Sequence, residues 1–181
     1  MQINIERLKT TLLELSRIGF NEADKGIYRT SFSEADMASR RWLVQTLESE
    51  GFQAEMDGAG NVYGRLGTTG KPTITLGSHL DTVPAGGMFD GALGVVATLE
   101  VLRCVKESNI ELKWPIELVA TSEEEGRFGG MLGAQAIAGD LTPDVILNAH
   151  DADGNRLTDA MTAAGLDPLK VLDARRLHGP R

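Results

Sequence analysis

Two short apolar runs, residues 73–76 and 116–120, flank a long and largely apolar segment at residues 93–105. The short runs are rich in β-branched residues, which favours buried strands, and the long segment has the narrow polar stripe of a helix packed on most sides. Upstream, residues 52–56 and 62–66 predict two more strands, joined by a Gly- and Asn-rich turn. Strand, helix and strand in this order predict an α/β fold with a mostly parallel sheet flanked by helices.

Further helices are predicted on both sides of this unit. Isoleucine and leucines at helical spacing predict a first helix at residues 5–15, and Ser31 with Glu34 fits a capping box at the start of a second helix. Residues 131–138 suit another helix. The short apolar run at residues 145–147 fits either a strand or the end of a helix.

Composition limits the classes of protein to which the chain can belong. Its 181 residues fit one domain, and 41% hydrophobic with 24% charged residues indicates a globular protein. The net charge of −8 argues against nucleic acid or an anionic membrane as a partner. Cys104 is the only cysteine, so no intrachain disulfide can form, and its apolar neighbours predict a buried thiol. We see no signal peptide and no membrane-spanning stretch, and we expect a cytoplasmic location.

Polar residues follow both strands of the βαβ unit at their carboxyl ends. His79 and Asp81 come directly after the first strand, and residues 123–125, all glutamate, follow the second. Ligands of open α/β sheets bind outside the carboxyl ends of the strands. We therefore expect the histidine and the acidic residues to lie on one rim of the sheet.

Each of these signals also has an ordinary structural interpretation. His79 and Asp81 can be a metal ligand with a supporting carboxylate, or a surface turn. Asp90 can bridge cations, or cap the helix that follows it. The three glutamates can be a solvated charge run, or one can bind a metal while its neighbour faces a water molecule as general base. Imidazole and carboxylate ligands suit Zn²⁺, Mn²⁺ or Co²⁺ alike.

In combination, these segments resemble a known family. Residues 77–91, GSHLDTVPAGGMFDG, are similar to the first metal motif of the M20 metallopeptidase superfamily, and more narrowly of its hydantoinase/carbamoylase branch. That branch comprises N-carbamoyl-L-amino-acid hydrolases, beta-ureidopropionases and allantoate amidohydrolases. The resemblance continues in TSEEEGRF at residues 121–128, and residues 26–29, 57–66 and 151–154 add to it.

The resemblance implies a role for each candidate residue. His79 would bind one metal, Asp90 would bridge two, and Glu125 would bind the other. Glu124 would be the general base, and Asp81 would support the imidazole of His79. The cofactors would be two divalent ions, Zn²⁺ or alternatively Mn²⁺, Co²⁺ or Ni²⁺. The activity would be hydrolysis of a linear amide C–N bond in a small N-carbamoyl or ureido substrate, such as an N-carbamoyl-L-amino acid or allantoate.

The resemblance also predicts the extent of the domain. Residues 1–169 are expected to form the N-terminal portion of the dimetal catalytic domain, whereas residues 170–181 match no part of the family. Complete members, which form homodimers, add a lid and dimerisation domain and further histidine ligands. His150 and His178 do not match those ligands, and no substrate-binding residue is identified. We therefore expect impaired activity, and two alternatives stay open: an M20 aminoacylase or peptidase, and a non-catalytic fragment.

Overall fold

The computed structural model describes residues 2–68 and 72–176 of the chain. Its elements, in chain order, are α1 (Ile5–Ser16), α2 (Glu34–Ser49), β1 (Gln53–Met56), β2 (Val62–Leu66), β3 (Ile74–His79), α3 (Ala92–Glu107), β4 (Ile116–Thr121), α4 (Leu132–Ala138), α5 (Pro143–Asn148), α6 (Leu157–Ala163) and a 3-10 helix (Pro168–Ala174). The run at residues 145–147 therefore lies in a helix. Within the described ranges, no helix combines the length and the apolar character needed to cross a membrane.

The four strands form one sheet in the order β1-β2-β4-β3. Helices pack against this sheet, which confirms the α/β class. The prediction of a mostly parallel sheet is wrong for the described strands: only β3 and β4 run parallel, whereas β1 with β2 and β2 with β4 are antiparallel. The physical reason is the tight β1–β2 turn, which reverses the chain, so β2 enters the sheet opposite in direction to β4.

Strand β3 lies at one end of this sheet and has β4 as its only partner among the described strands. We predicted a buried strand here, but Ile74 is 46% exposed and Leu76 is 40% exposed. The prediction was wrong because it inferred burial from residue type, whereas burial depends on which elements cover the strand. One edge of β3 keeps backbone groups without a partner strand, which is the usual situation of an edge strand.

Helix α2 begins at a different serine from the predicted one. Ser33 is its N-cap, and the Ser33 side chain accepts a hydrogen bond from the Asp36 amide. The predicted capping box of Ser31 and Glu34 is therefore wrong. The hydroxyl of Ser31 instead donates to Oδ2 of Asp81, which ties the start of α2 to the loop after β3.

Two clusters of buried apolar side chains stabilise the fold. The first joins α1, α2, α3 and the sheet; its fully buried members include Leu15, Leu43, Leu47, Val62, Leu80, Val95, Leu99 and Leu118. The second lies under the C-terminal helices; its members include Phe32, Phe128, Leu132, Ile146, Leu157, Met161 and Val171. Met56 packs against both clusters. The loop after β3 contributes Leu80 to the first cluster, and the loop after β4 contributes Phe128 to the second.

Cys104 lies in α3 and is buried, as the sequence predicted. Its thiol contacts the Glu100 carboxylate at 3.3 Å. Burial, followed by the nearby Glu100 carboxylate, raises the pKa of the Cys104 thiol. The residue is therefore a protonated packing group in the native protein.

Candidate metal centre

The parallel pairing of β3 and β4 places the ends of both strands at one rim of the sheet. In the β3–β4 register, His79 lies opposite Thr121, so the loops that leave the two strands start side by side. His79 is only 7% exposed, and its Nδ1 lies 3.0 Å from the backbone oxygen of Asp81. With Nδ1–H donating to that oxygen, Nε2 keeps its lone pair for a metal ion.

Carboxylates surround this free nitrogen. Nε2 of His79 lies 3.7 Å from Oδ1 of Asp90 and 3.6 Å from Oε2 of Glu124. His79, Asp90 and Glu125 each offer a ligand atom, and these atoms lie within 4.8 Å of one another. Two ligands of one tetrahedral Zn²⁺ are about 3.4 Å apart, given metal–ligand bonds of about 2.1 Å. The three side chains therefore fit a metal ion with small side-chain movements.

Asp90 occupies a γ-turn that directly precedes α3. The amide of Ala92 donates to the backbone oxygen of Asp90 at 2.5 Å, and Gly91, between them, has φ 62° and ψ −56°. Gly91 is the N-cap of α3, and no side chain caps this helix. The interpretation of Asp90 as a helix cap is therefore wrong. Its side chain is 76% exposed, and its Oδ1 faces Nε2 of His79.

The three consecutive glutamates have different environments. Glu123 is 1% exposed and has a positive φ of 53°. Its carboxylate accepts hydrogen bonds from the amides of Phe128 at 2.7 Å and Gly130 at 2.9 Å. Burial raises the pKa of Glu123, although these hydrogen bonds oppose the shift. Glu123 is thus an anchor of the loop, so the interpretation of a solvated charge run is wrong for this residue.

Glu125 joins the loop after β4 to the loop after β3. Its amide donates to Oδ2 of Asp81 at 3.1 Å. Burial raises the pKa of the Glu125 carboxyl, and the nearby carboxylates of Asp90, Asp81 and Glu124 add to the rise, while His79 opposes it. Crowded carboxylates of this kind repel one another, and a bound cation relieves that repulsion.

Asp81 lies behind His79 and has no exposed surface. Its Oδ2 accepts hydrogen bonds from Ser31 and Glu125, and its Oδ1 lies 3.8 Å from Nδ1 of His79. Nη2 of the Arg40 guanidinium lies 3.7 Å from the same Oδ1. Neither Arg40 nor Glu123 was assigned a role from the sequence. A signal for Arg40 was present, since it stands four residues after Asp36 on a helix face that also carries Leu43 and Leu47.

An open pocket of ≈ 440 Å³ lies beside Glu125. Its walls include Thr30, Val83, Pro84, Glu125, Arg127 and Asp151. Arg127 donates to the Ser31 backbone oxygen at 2.7 Å and to Oδ2 of Asp151 at 3.2 Å, so it holds the loop at residues 151–155 against the segment that precedes α2. The pocket therefore provides space for a small molecule next to Glu125, one of the three candidate ligands.

The other histidines lie outside this centre. His150 is exposed, as predicted, and its Nδ1 lies 3.0 Å from the backbone oxygen of Asn148. Among residues 2–68 and 72–176, His79 is the one histidine in a group that could hold a metal ion. His178 lies outside the described residues.

Comparison with known proteins identifies hydrolases. The profile of Peptidase family M28 matches residues 61–172. An N-carbamoyl-L-amino acid amidohydrolase of Geobacillus stearothermophilus is 41% identical over 179 residues, which are 96% of this chain and 43% of that protein. An allantoate amidohydrolase of Escherichia coli is 34% identical over 164 residues, which are 88% of this chain and 40% of that protein.

Solved structures agree with this result. A hydantoinase/carbamoylase family amidase from Burkholderia ambifaria superposes with a TM-score of 0.83 at 35% sequence identity. The superposition covers 91% of this chain and 41% of the amidase. The chain thus spans about two fifths of the length of the curated relatives and solved structures that it matches.

Proposed function

Because the chain belongs to the M28/M20-like metallopeptidase family, on its hydantoinase/carbamoylase branch, we propose that it forms part of a metal-dependent amidohydrolase. The reaction would be hydrolysis of a linear amide C–N bond in an N-carbamoyl or ureido compound, of the N-carbamoyl-L-amino acid or allantoate type. One observation carries the proposal: His79, Asp90 and Glu125 converge on one rim, with ligand atoms within 4.8 Å of one another.

We propose that the centre binds two divalent cations, Zn²⁺ or alternatively Mn²⁺, Co²⁺ or Ni²⁺. His79 would bind one ion, Glu125 the other, and Asp90 both. When bound, such ions polarise the substrate carbonyl and make a water molecule acidic enough to lose its proton near neutral pH. Imidazole and carboxylate ligands suit all four of these metals, so the site does not select among them.

Glu124 is the proposed general base. Its Oε2 faces the same space as Nε2 of His79, at 3.6 Å, and its side chain is 39% exposed. A carboxylate in this position can take a proton from the attacking water and pass it to the departing nitrogen. Asp81 holds the imidazole of His79 in place from behind. The pocket beside Glu125 would receive the remainder of the substrate, although no residue is assigned to substrate recognition.

Few candidate ligands lie among residues 2–68 and 72–176. One imidazole and two carboxylates are few for two cations, because affinity depends on the number and rigidity of the ligands. We therefore expect weak metal binding and slow turnover. The domain bounds stay a prediction: residues 1–169 as the first portion of the catalytic domain, and residues 170–181 outside it. The homodimer and the cytoplasmic location also stay predictions.

Two other functions remain to be tested. The match to Peptidase family M28 supports an aminoacylase or peptidase, whereas the names of the relatives favour a carbamoyl or ureido substrate. A panel of N-carbamoyl amino acids, allantoate, N-acyl amino acids and dipeptides separates these. The third possibility is a non-catalytic chain, for which equilibrium dialysis against a divalent ion would find no binding.

The two adjacent glutamates supply a matched test of the mechanism. Glu124→Gln should lower the rate of carbamoyl hydrolysis by at least about 100-fold and keep the bound metal, because it removes a base. Glu125→Gln should instead lower the metal content, because it removes a ligand. Ammonia release and metal content are measured on both variants. The reverse pattern would mean that the two roles are exchanged, and full activity in Glu124→Gln would refute the proposed base.

A further inference from the structure

Behind the candidate metal centre, a group of charged side chains has no contact with solvent. Arg29, Asp36, Arg40 and Asp81 are each 0% exposed. Burying a charge is strongly unfavourable unless an opposite charge and hydrogen bonds compensate. Because each of these four charges needs the others nearby, their positions depend closely on one another.

Arg40 is the centre of this group. Its Nε lies 2.9 Å from Oδ1 of Asp36, and its Nη2 lies 3.7 Å from Oδ1 of Asp81. Its Nη1 donates to the backbone oxygens of Gly60 at 2.9 Å and Thr121 at 3.3 Å. The guanidinium therefore connects α2, the β1–β2 turn, the end of β4 and the loop after β3. A lysine ammonium has no planar fork with which to hold these partners together.

Asp81 transmits this arrangement to the metal ligands. Its Oδ2 accepts the amide of Glu125 at 3.1 Å, and its Oδ1 lies 3.8 Å from Nδ1 of His79. Oδ1 of Asp81 and Nη2 of Arg40 are both buried, and neither has a hydrogen-bond partner. Charge attraction across 3.7 Å is thus the contact that orients this oxygen on the side of Arg40.

We propose that Arg40 is a positioning residue of the metal centre, which acts through Asp81 on the imidazole of His79 and on the backbone of Glu125. Two of the three candidate ligands then depend on one buried guanidinium that touches neither of them. The inference rests on the proposed metal site, and it does not depend on which substrate the enzyme uses.

The test is Arg40→Lys in the 181-residue chain, with Co²⁺ as the probe and no substrate present. We expect about tenfold weaker Co²⁺ binding, the lower end of the effect typical of groups that orient metal ligands. We also expect a changed Co²⁺ absorption spectrum, because the ligand geometry changes. The matched control is Arg103→Lys. Arg103 lies in α3, is also buried, and pairs with the carboxylate of Glu50.

Unfolding by urea in EDTA shows whether each variant is folded. If Arg40→Lys does not fold, Asp36→Asn removes the partner that tethers Arg40 and should weaken Co²⁺ binding in the same direction. Co²⁺ affinity and spectrum equal to those of Arg103→Lys would overturn the inference. Arg40-dependent Co²⁺ binding without carbamoyl hydrolysis would instead reject only the proposed function. A wild-type chain that takes up no Co²⁺ overturns both.

Discussion

Replacing Gly91 by alanine tests the packing between the β3 loop and the start of α3. A Cβ atom at Gly91 would lie 2.5 Å from Nδ1 of His79 and 2.5 Å from the His79 backbone oxygen. Atoms in proteins do not approach a Cβ this closely, and the backbone oxygen cannot move without disturbing β3. The substitution should therefore displace the imidazole that we propose as a ligand.

The size of the effect follows from two contributions. The γ-turn holds Gly91 at φ 62° and ψ −56°, a conformation that costs an alanine about 1–3 kcal/mol. Relief of the overlap with His79 costs about 1–3 kcal/mol more, the usual range for an overpacked site. Together, Gly91→Ala should lower the free energy of unfolding by about 2–6 kcal/mol. That is a large part of the stability of a small domain.

Urea unfolding in EDTA measures the stability term, and titration with Co²⁺ measures the effect on the site. The control is Gly87→Ala in the same loop, where an added Cβ meets no atom within 4 Å. We expect Gly87→Ala to leave both measurements nearly unchanged. If Gly91→Ala were as stable as Gly87→Ala and bound Co²⁺ equally well, the close contact between the γ-turn and His79 would be refuted.

Two further predictions concern groups away from the metal centre. The Cys104 thiol, whose pKa burial raises, should react with a disulfide reagent at pH 8 far more slowly in native protein than in urea; rapid native labelling would contradict its burial. For Glu100, burial raises the pKa, but hydrogen bonds from Arg7 and the Asn4 amide outweigh it and hold the pKa below 4.5. The unfolded state then binds more protons, so urea stability should fall as pH drops through and below 4.5, and less steeply in Arg7→Met. Parallel pH profiles for the two proteins would refute the Glu100 assignment.

Local patterns in the sequence predicted most helices and strands correctly. The apolar helix α3 and the strands β1, β2 and β4 lie where residue spacing places them, because periodicity reports which face of an element is buried. The rim was also predicted, since parallel β3 and β4 must end at the same side. Those predictions need only short stretches of chain and one rule about how parallel strands align.

The features that the sequence did not reveal depend on distant contacts. The direction of β2 relative to β4 follows from a hairpin that folds back onto a strand far along the chain. Ser31 and Ser33 are chemically alike, and the sequence does not reveal that Ser33 caps α2 while Ser31 donates to the distant Asp81. Glu123 looks like its two neighbours until its positive φ turns the side chain inward.

The candidate metal centre lies between loops that belong to different apolar clusters. His79 and Asp90 stand on loops rooted in the first cluster, through Leu80 and Ala92, whereas Glu125 stands on a loop rooted in the second, through Phe128. A cation shared by these side chains would be a further cross-link between the two clusters, which Met56 also joins. Any ion that binds only the native form adds about 2.7 kcal/mol at a hundredfold excess over its Kd, and here both halves of the molecule would share that gain. Chelation would then loosen the whole chain at once, and the protein's resistance to proteases would follow the supply of metal.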